Sequence, residues 1–229
     1  MTGAAGAIGG AIATQLDSDG WAVHAVDLAD GDLATPEGNR QVVDAALERF
    51  GRLDAVVAAA GFQHVAPVRE LPVERWDALL AVLLTSPFLL AQHAWDALTA
   101  SGDGRFCVIG SAHSLVASPF KAGYVAAKHG VLGLVKTIAL EGAKDGISAT
   151  AICPGYVRTP LVEAQIADQA RVHGLPQERV LDDVILAAHA VKRLLEPSEV
   201  AEVVGFVLGR SGRAFTGAPV VIDLGWSAR

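Results

Sequence analysis

Residues 2–27 read TGAAGAIGGAIATQLDSDGWAVHAVD. A glycine-rich start runs into Ile8–Asp17, where apolar residues recur at helical spacing, and the short apolar run Val23–Asp27 reads as a strand ending in an acid. Glycines let a turn tighten and let backbone approach an anion at a helix N-terminus. An acid at the next strand end accepts hydrogen bonds from ribose hydroxyls and repels an added 2′-phosphate. Residues 2–9 carry no Lys or Arg to hold such a phosphate. Each feature alone equally describes an Ala/Gly-rich helix start or an acid capping a strand. Together they point to dinucleotide binding, with Gly3, Ala5, Gly6, Ala7, Ile8, Gly9 and Asp27 as the cofactor contacts.

Outward from this stretch, short apolar runs alternate with helical patterns. Leu53–Ala58, Phe106–Gly110, Ile147–Cys153 and Ala218–Asp223 read as strands, apolar on both faces as buried parallel strands are. Pro36–Phe50 has Pro and Glu at its entry and Gly51 after it, a helix start and stop. Leu71–Ala100, Pro119–Gly142 and Pro197–Gly209 also read as helices, the first with a kink or break at Pro87. Strand–helix alternation predicts an α/β fold: one doubly wound parallel sheet, Rossmann-like, in a single domain over residues 1–229. Residues 159–195 are less regular and read as a substrate lid or loop.

Composition narrows the function. With 52% hydrophobic and 19% charged residues in 229, the chain is not disordered. Its 18 basic and 25 acidic residues give a net charge of −7, against nucleic-acid binding. The longest apolar run, Trp76 to Trp95, is interrupted by Asp77, Pro87 and His93, and no run reaches the roughly 18 residues of a membrane span. The start MTGAAGAIGG lacks the basic segment of a signal peptide. Two cysteines make no disulfide framework, and no metal site is expected. A cytoplasmic, soluble protein is the expectation.

Tyr124 and Lys128 lie four apart in a helical pattern and so share a face. Ser111 follows the strand Phe106–Gly110, where a parallel sheet opens its ligand crevice. A phenol with a pKa near 10 is a poor base at neutral pH, and a neighbouring ammonium lowers that value. Ser111 would donate to a substrate oxygen. From spacing alone, a surface Tyr, a solvated Lys and a turn Ser describe these residues equally well.

TGAAGAIG (2–9), AAG (59–61), Ser111, Tyr124-x-x-x-Lys128 and Pro154-Gly155 followed by Thr159 stand in the order of the short-chain dehydrogenase/reductase family, which the chain resembles over most of its length. Within the family, GFQHVAPV (61–68), SAHSLVASPFKAGYVAAKHGV (111–131) and CPGYVRTPLVEAQI (153–166) are similar to the D-3-hydroxybutyrate dehydrogenases. The resemblance implies NAD as cofactor and interconversion of a 3-hydroxy acid and its 3-oxo acid. Tyr124 would be the general base, Lys128 would tune it and bind the nicotinamide ribose, and Ser111 would polarise the reacting oxygen. Ala60, Gly61, Pro154, Gly155, Val157 and Thr159 would meet the cofactor. Gln63, His113, Lys121 and Gln165 would form a carboxylate cradle, and Trp226 would approach the substrate. One cation and three hydrogen-bond donors suit a small anion. Alone, each also reads as an exposed loop or surface residue. The resemblance further implies a homotetramer or dimer. Its apolar faces would lie on 71–100 and 119–142, where the stripe Trp76, Leu79, Leu80 and Leu83 reads equally as core.

The chain also departs from the family. Leu83 stands where an Asn usually helps hold a proton-relay water, Ala59 replaces an Asn that braces the sheet, and Ala7 replaces a loop glycine. Tyr156 stands for a subfamily Trp. An apolar strand expected before Thr2 is missing, and residues 28–35 replace a helix and a strand, with Asp32-Leu33 as an adenine-contacting remnant. Three readings follow: a 3-hydroxybutyrate dehydrogenase, a dehydrogenase of another secondary alcohol or cyclic diol, and a degenerate member without turnover.

Overall fold

The computed structural model describes residues 1–228. Four parallel strands, β1 (Ala55–Ala58), β2 (Arg105–Ile109), β3 (Ser148–Pro154) and β4 (Pro219–Ile222), lie side by side in chain order. Around them pack α1 (Ala7–Ser18), α2 (Pro36–Phe50), α3 (Val73–Leu80), α4 (Ser86–Ser101), α5 (Ala122–Gly142), three short helices α6 (Pro160–Ala164), α7 (Ile166–His173) and α8 (Gln177–Val180), and α9 (Pro197–Leu208).

Successive strand residues point to opposite faces, and the core divides accordingly. Val56, Ala58, Phe106, Val108, Ala149 and Ala151 face one cluster, with side chains from α2, α4 and α5. Val57, Cys107, Ile109 and Ile152 face the other, with α1 and α9. Helices thus cover both faces, which explains why the strands read as unbroken apolar runs. Every strand delivers its carboxyl end to the same edge, so the loops after β1, β2, β3 and β4 converge there.

The expected strand Val23–Asp27 is reduced to one bridge. Thr2 pairs with Val26 on one side and Ala58 on the other, extending the sheet by single residues. Thr2 N–H donates to the Val57 carbonyl at 3.0 Å and Ala4 N–H to that of Val26 at 3.1 Å. Met1 also joins in, its ammonium donating to the His24 carbonyl at 2.6 Å and its carbonyl accepting from Val26 N–H at 3.0 Å. A cavity of about 260 Å³, lined by Met1, Leu16, Val23, Phe50 and Leu53, lies in the slot beside Met1. The strand order reverses between Thr2 and β1, the place where such folds bind ligands.

Local signals explain the helices. Thr35 caps α2 by accepting from Gly38 N–H at 3.0 Å, Pro36 opens it, and Gly51 closes it at φ 70°. The expected break in 71–100 is a π-helical turn, Ala81–Thr85, just ahead of Pro87. Proline lacks an N–H, so the preceding turn must be irregular. By length and composition alone, Val73–Ser101 is long and apolar enough to cross a membrane, with 29 residues and an 18-residue window of mean hydropathy 1.5. Yet Leu79, Leu83, Leu90, Ala94 and Leu98 are buried inside the protein. The Leu79 and Leu83 part of the apolar stripe is therefore core, packed on Ala127 and Tyr124. Leu33 also turns into the core, and Asp32 accepts from its neighbour Ala34 N–H; neither reaches the cleft, against the expected adenine contact.

Residues 159–195 form α6, α7, α8 and a π-turn, Leu181–Ile185, around a small core of Val162, Ala170, Val180, Ile185 and Leu194. The two ends of this excursion are tied together. Arg158 N–H donates to the Leu195 carbonyl at 2.8 Å, and Leu195 N–H to that of Tyr156 at 2.9 Å.

Candidate active site

A cleft of about 470 Å³ opens at the carboxyl edge of the sheet and runs from the glycine-rich turn to Trp226. Its walls include the expected catalytic, cofactor and substrate residues other than Asp32 and Leu33, from Gly3, Gly6 and Asp27 through Ser111, Tyr124 and Lys128 to Gln63, His113, Lys121 and Gln165.

At one end, Gly3 sits at φ 72°, and a Cβ there would stand 2.6 Å from Ala60 N. A Cβ on Gly9 would overlap the Gly3 carbonyl. Only glycine permits this crossing of turn and strand end. α1 begins at Ala7 with Gly6 as its cap and no side chain over its first N–H groups, which face the cleft. Such an uncapped helix start suits a pyrophosphate. Ala7 is exposed beside it. Asp27 accepts from Ala5 N–H and Leu28 N–H, both at 2.8 Å, so its carboxylate holds the turn in place. Thr2 Oγ1 accepts from Ala59 N–H at 3.3 Å and Ala60 N–H at 3.4 Å, bracing β1 where no Asn side chain is present.

In the middle, Ser111 begins a short 3-10 turn after β2, and its Oγ accepts from His113 N–H at 3.1 Å. Tyr124 and Lys128 come from the first turns of α5. Burial holds the Tyr124 phenol above its ordinary value, and a hydrogen bond from Ser111 opposes that shift. Burial lowers Lys128 to about 8. The Lys128 ammonium donates to the Ile109 carbonyl at 2.6 Å and stands 5.6 Å from the Tyr124 ring centroid. Leu83 is buried beside them, with its Cδ2 where a Cβ on Gly61 would be only 2.9 Å away.

At the far end, His113 is buried against Trp226, with ring centroids 5.0 Å apart. Burial, then the charges of Lys121 and His129, lower it to about 3, so the imidazole is neutral. Its Nδ1 is 3.4 Å from Ser111 Oγ, and its Nε2 has no partner among the described residues. Gln63 Oε1 accepts from His64 N–H at 2.9 Å, leaving Nε2 as a donor. Lys121, also buried, is lowered to about 8 by desolvation. Gln165 Nε2 donates one N–H to the Leu161 carbonyl at 2.8 Å and keeps a second, and its buried Oε1 has no partner among the described residues. Thr159 lies on the cleft wall and caps α6, accepting from Val162 N–H. Val157, Pro154 and Gly155 line the floor, with Gly155 packed on Asp223. Asp223 in turn accepts from Ser227 and Gly225 N–H, fixing the turn that carries Trp226.

A family model described as enoyl-(acyl carrier protein) reductase matches residues 24–227. D-beta-hydroxybutyrate dehydrogenase of Rhizobium meliloti (strain 1021) is 43% identical over 198 residues, 86% of this chain and 77% of that protein. The chain belongs to the short-chain dehydrogenase/reductase family. Cis-4-hydroxycyclohexanecarboxylate dehydrogenase of Sinomonas cyclohexanicum is 31% identical over 249 residues, 100% of this chain and 95% of that one. The crystal structure of levodione reductase superposes with a TM-score of 0.92 at 26% identity, covering 99% and 96% of the two chains. This family membership makes the chain an oxidoreductase acting on CH–OH groups, of a family that uses nicotinamide cofactors.

Two residues important to the cleft went unassigned from sequence. Tyr156 touches Lys121, and Phe62 lines the wall beside Gln63. Their position directly after a strand's carboxyl end was the available signal.

Proposed function

We propose that the protein oxidises D-3-hydroxybutyrate, or a closely related short 3-hydroxy acid, to the 3-oxo acid with NAD. One observation carries the reading. Ser111 and Tyr124 share a cleft with Lys121, His113 Nε2 and Gln63 Nε2, so a hydroxyl and a carboxylate of one small molecule find partners together.

Lys121 is the cation for the acid end, helped by the neutral His113 and by Gln63. Ser111 orients the hydroxyl to be oxidised, and Tyr124 takes its proton, aided by the Ser111 hydrogen bond. Lys128, fixed on Ile109, holds positive charge at the floor for a ribose hydroxyl. When bound, NAD supplies the acceptor for the hydride leaving the carbinol carbon. The uncapped start of α1 would hold its pyrophosphate, and Asp27 its adenosine ribose, with Ala60, Pro154, Val157 and Thr159 along the remaining wall. Asp27 favours NAD over NADP, since a 2′-phosphate would meet a carboxylate.

The aromatic lining from Tyr156, Trp226 and Phe62 supports a second reading, a cyclic hydroxy acid or another secondary alcohol. A substrate panel with NAD separates the two. Higher kcat/KM for D-3-hydroxybutyrate than for cyclohexanol or a cyclic diol supports the first, and the reverse order overturns it. We further infer a cytoplasmic homotetramer or dimer, supported by Leu140, Phe88 and Phe206 being exposed on helices rather than buried.

A further inference from the structure

Lys121 is buried, yet its ammonium has one partner among the side chains of the described residues, the Tyr156 hydroxyl at 2.8 Å. The same Nζ stands 4.7 Å from the Tyr156 ring centroid. Tyr156 comes directly after β3 and lines the cleft. Its ring leans edge-on against His113 at 6.3 Å and Trp226 at 6.4 Å, and it packs on the small core of residues 162–194. Position and orientation are therefore set from three sides.

Several hydrogen-bond donors meet at this end of the cleft, and Tyr156 stands among them. A carboxylate accepts from about four directions. Lys121, His113 Nε2 and Gln63 Nε2 supply donors, and Gln165 Nε2 gives one of its two N–H groups to the Leu161 carbonyl. Tyr156 accepts from Lys121 through a lone pair and keeps its own O–H free. Burial pushes that phenol above its ordinary range, so it stays protonated and a donor. A phenol that accepts from an ammonium is also a stronger donor, because the two hydrogen bonds polarise each other.

We infer that the Tyr156 hydroxyl completes the carboxylate-binding set, taking a hydrogen bond from Lys121 and giving its own to the bound acid. This makes Tyr156 a specificity-determining residue for acids over uncharged alcohols, and it rests on the proposed function only in naming the acid. The Lys121–Tyr156 pair acts as one unit, in which the ammonium brings charge and the phenol brings direction.

The test is Tyr156→Phe, which keeps the ring, its packing and the cation–π contact and removes one oxygen. The probe is butyrate, titrated calorimetrically into the protein saturated with NADH, with D-3-hydroxybutyrate and its methyl ester as substrates in parallel. Expected are about a tenfold weaker butyrate affinity and a similar rise in KM for the acid. The kcat, the ester's KM and NADH affinity should stay within a factor of two. Unchanged butyrate affinity in Tyr156→Phe, or no butyrate binding to the wild type, overturns the inference. A wild type that binds butyrate but oxidises no 3-hydroxy acid, while Tyr156→Phe still weakens butyrate, overturns the proposed function and leaves this inference standing.

Discussion

Lys128 donates from its buried ammonium to the Ile109 carbonyl at 2.6 Å, across the space between α5 and the end of β2. The bond ties the fifth helix to the sheet at the floor of the cleft and places a cation below Tyr124. Burial has lowered both cleft lysines to about 8. The ordinary Lys value of 10.5 gives the sign. A folded value below the unfolded one means that the unfolded chain binds more protons between about 8 and 10.5. Burial therefore costs stability fully below pH 8, and the fold gains stability as pH rises toward 10.5. A melting series from pH 7 to 10, with the acid-stable surface charges screened by salt, should show that rise; a flat or falling midpoint contradicts it.

Lys121→Met removes one such buried charge. A fall from 10.5 to about 8 corresponds to roughly 3 kcal/mol at about 1.4 kcal/mol per unit. The variant should melt higher at pH 7 and lose its preference for carboxylates over the matching esters by about 10²-fold. In the wild type, KM for a carboxylate should climb above pH 8 as the ammonium deprotonates. A Lys121→Met protein that still prefers acids refutes the assignment of the anion end.

Much of this fold could be read from the chain because local chemistry and global packing agree. Pro36, Glu37 and Gly51 bracket α2 as expected, and the apolar runs read at 106–110 and 147–153 form strands over 105–109 and 148–154, buried on both faces. Val23–Asp27 is read as a strand but pairs only through the Thr2–Val26 bridge and the bonds of Met1 to His24 and Val26, a tertiary detail its apolar pattern does not carry. The π-turn at 81–85 was visible only as a proline nearby, since its position depends on how α3 and α4 pack on α5. The site residues could be named from motif order, but not their hydrogen-bond states. Gln165 bonds the Leu161 carbonyl one helical turn back, and Lys128 bonds the Ile109 carbonyl of another segment; motif order reveals neither.

Leu83 is 2% exposed and lies on Gly61 and Ala127, in a cluster with Leu79, Phe62, Leu80, Leu84 and Tyr124. Leu83→Asn should therefore cost about 1–3 kcal/mol in stability, from an amide buried among methyls. Its effect on kcat should stay within about threefold, well below the 10² or more of a true proton-transfer group. A large rise in kcat would mean that the leucine is starving the site of a proton path.

The cofactor reading turns on Asp27, whose carboxylate anchors Ala5 N–H, and on Leu28, which is 73% exposed next to it. Asp27→Ala should raise KM for NAD about tenfold, and adding Leu28→Arg should bring NADP turnover level with NAD or above it. Unchanged cofactor preference in the double variant would place the adenosine end elsewhere.

The slot beside Met1 makes a stability prediction. An engineered extension of about six β-branched residues ahead of Met1 is long enough to pass between 23–25 and 53–56. It should fill the cavity of about 260 Å³ and raise the melting midpoint, each buried Val or Ile adding about 1.5–3 kcal/mol before ordering costs. An extension of the same length made of Ser and Gly is the control, and equal midpoints for the two contradict the slot.

The most direct measurement follows NADH absorbance when the purified chain meets NAD and D-3-hydroxybutyrate, with Tyr124→Phe alongside. The expected result is steady turnover in the wild type and a loss of about 10²–10⁴-fold in Tyr124→Phe, with NADH still bound by both. No NADH formation by a wild type that binds NADH, or turnover that survives Tyr124→Phe, would contradict the assignment of this cleft as a 3-hydroxy acid dehydrogenase site.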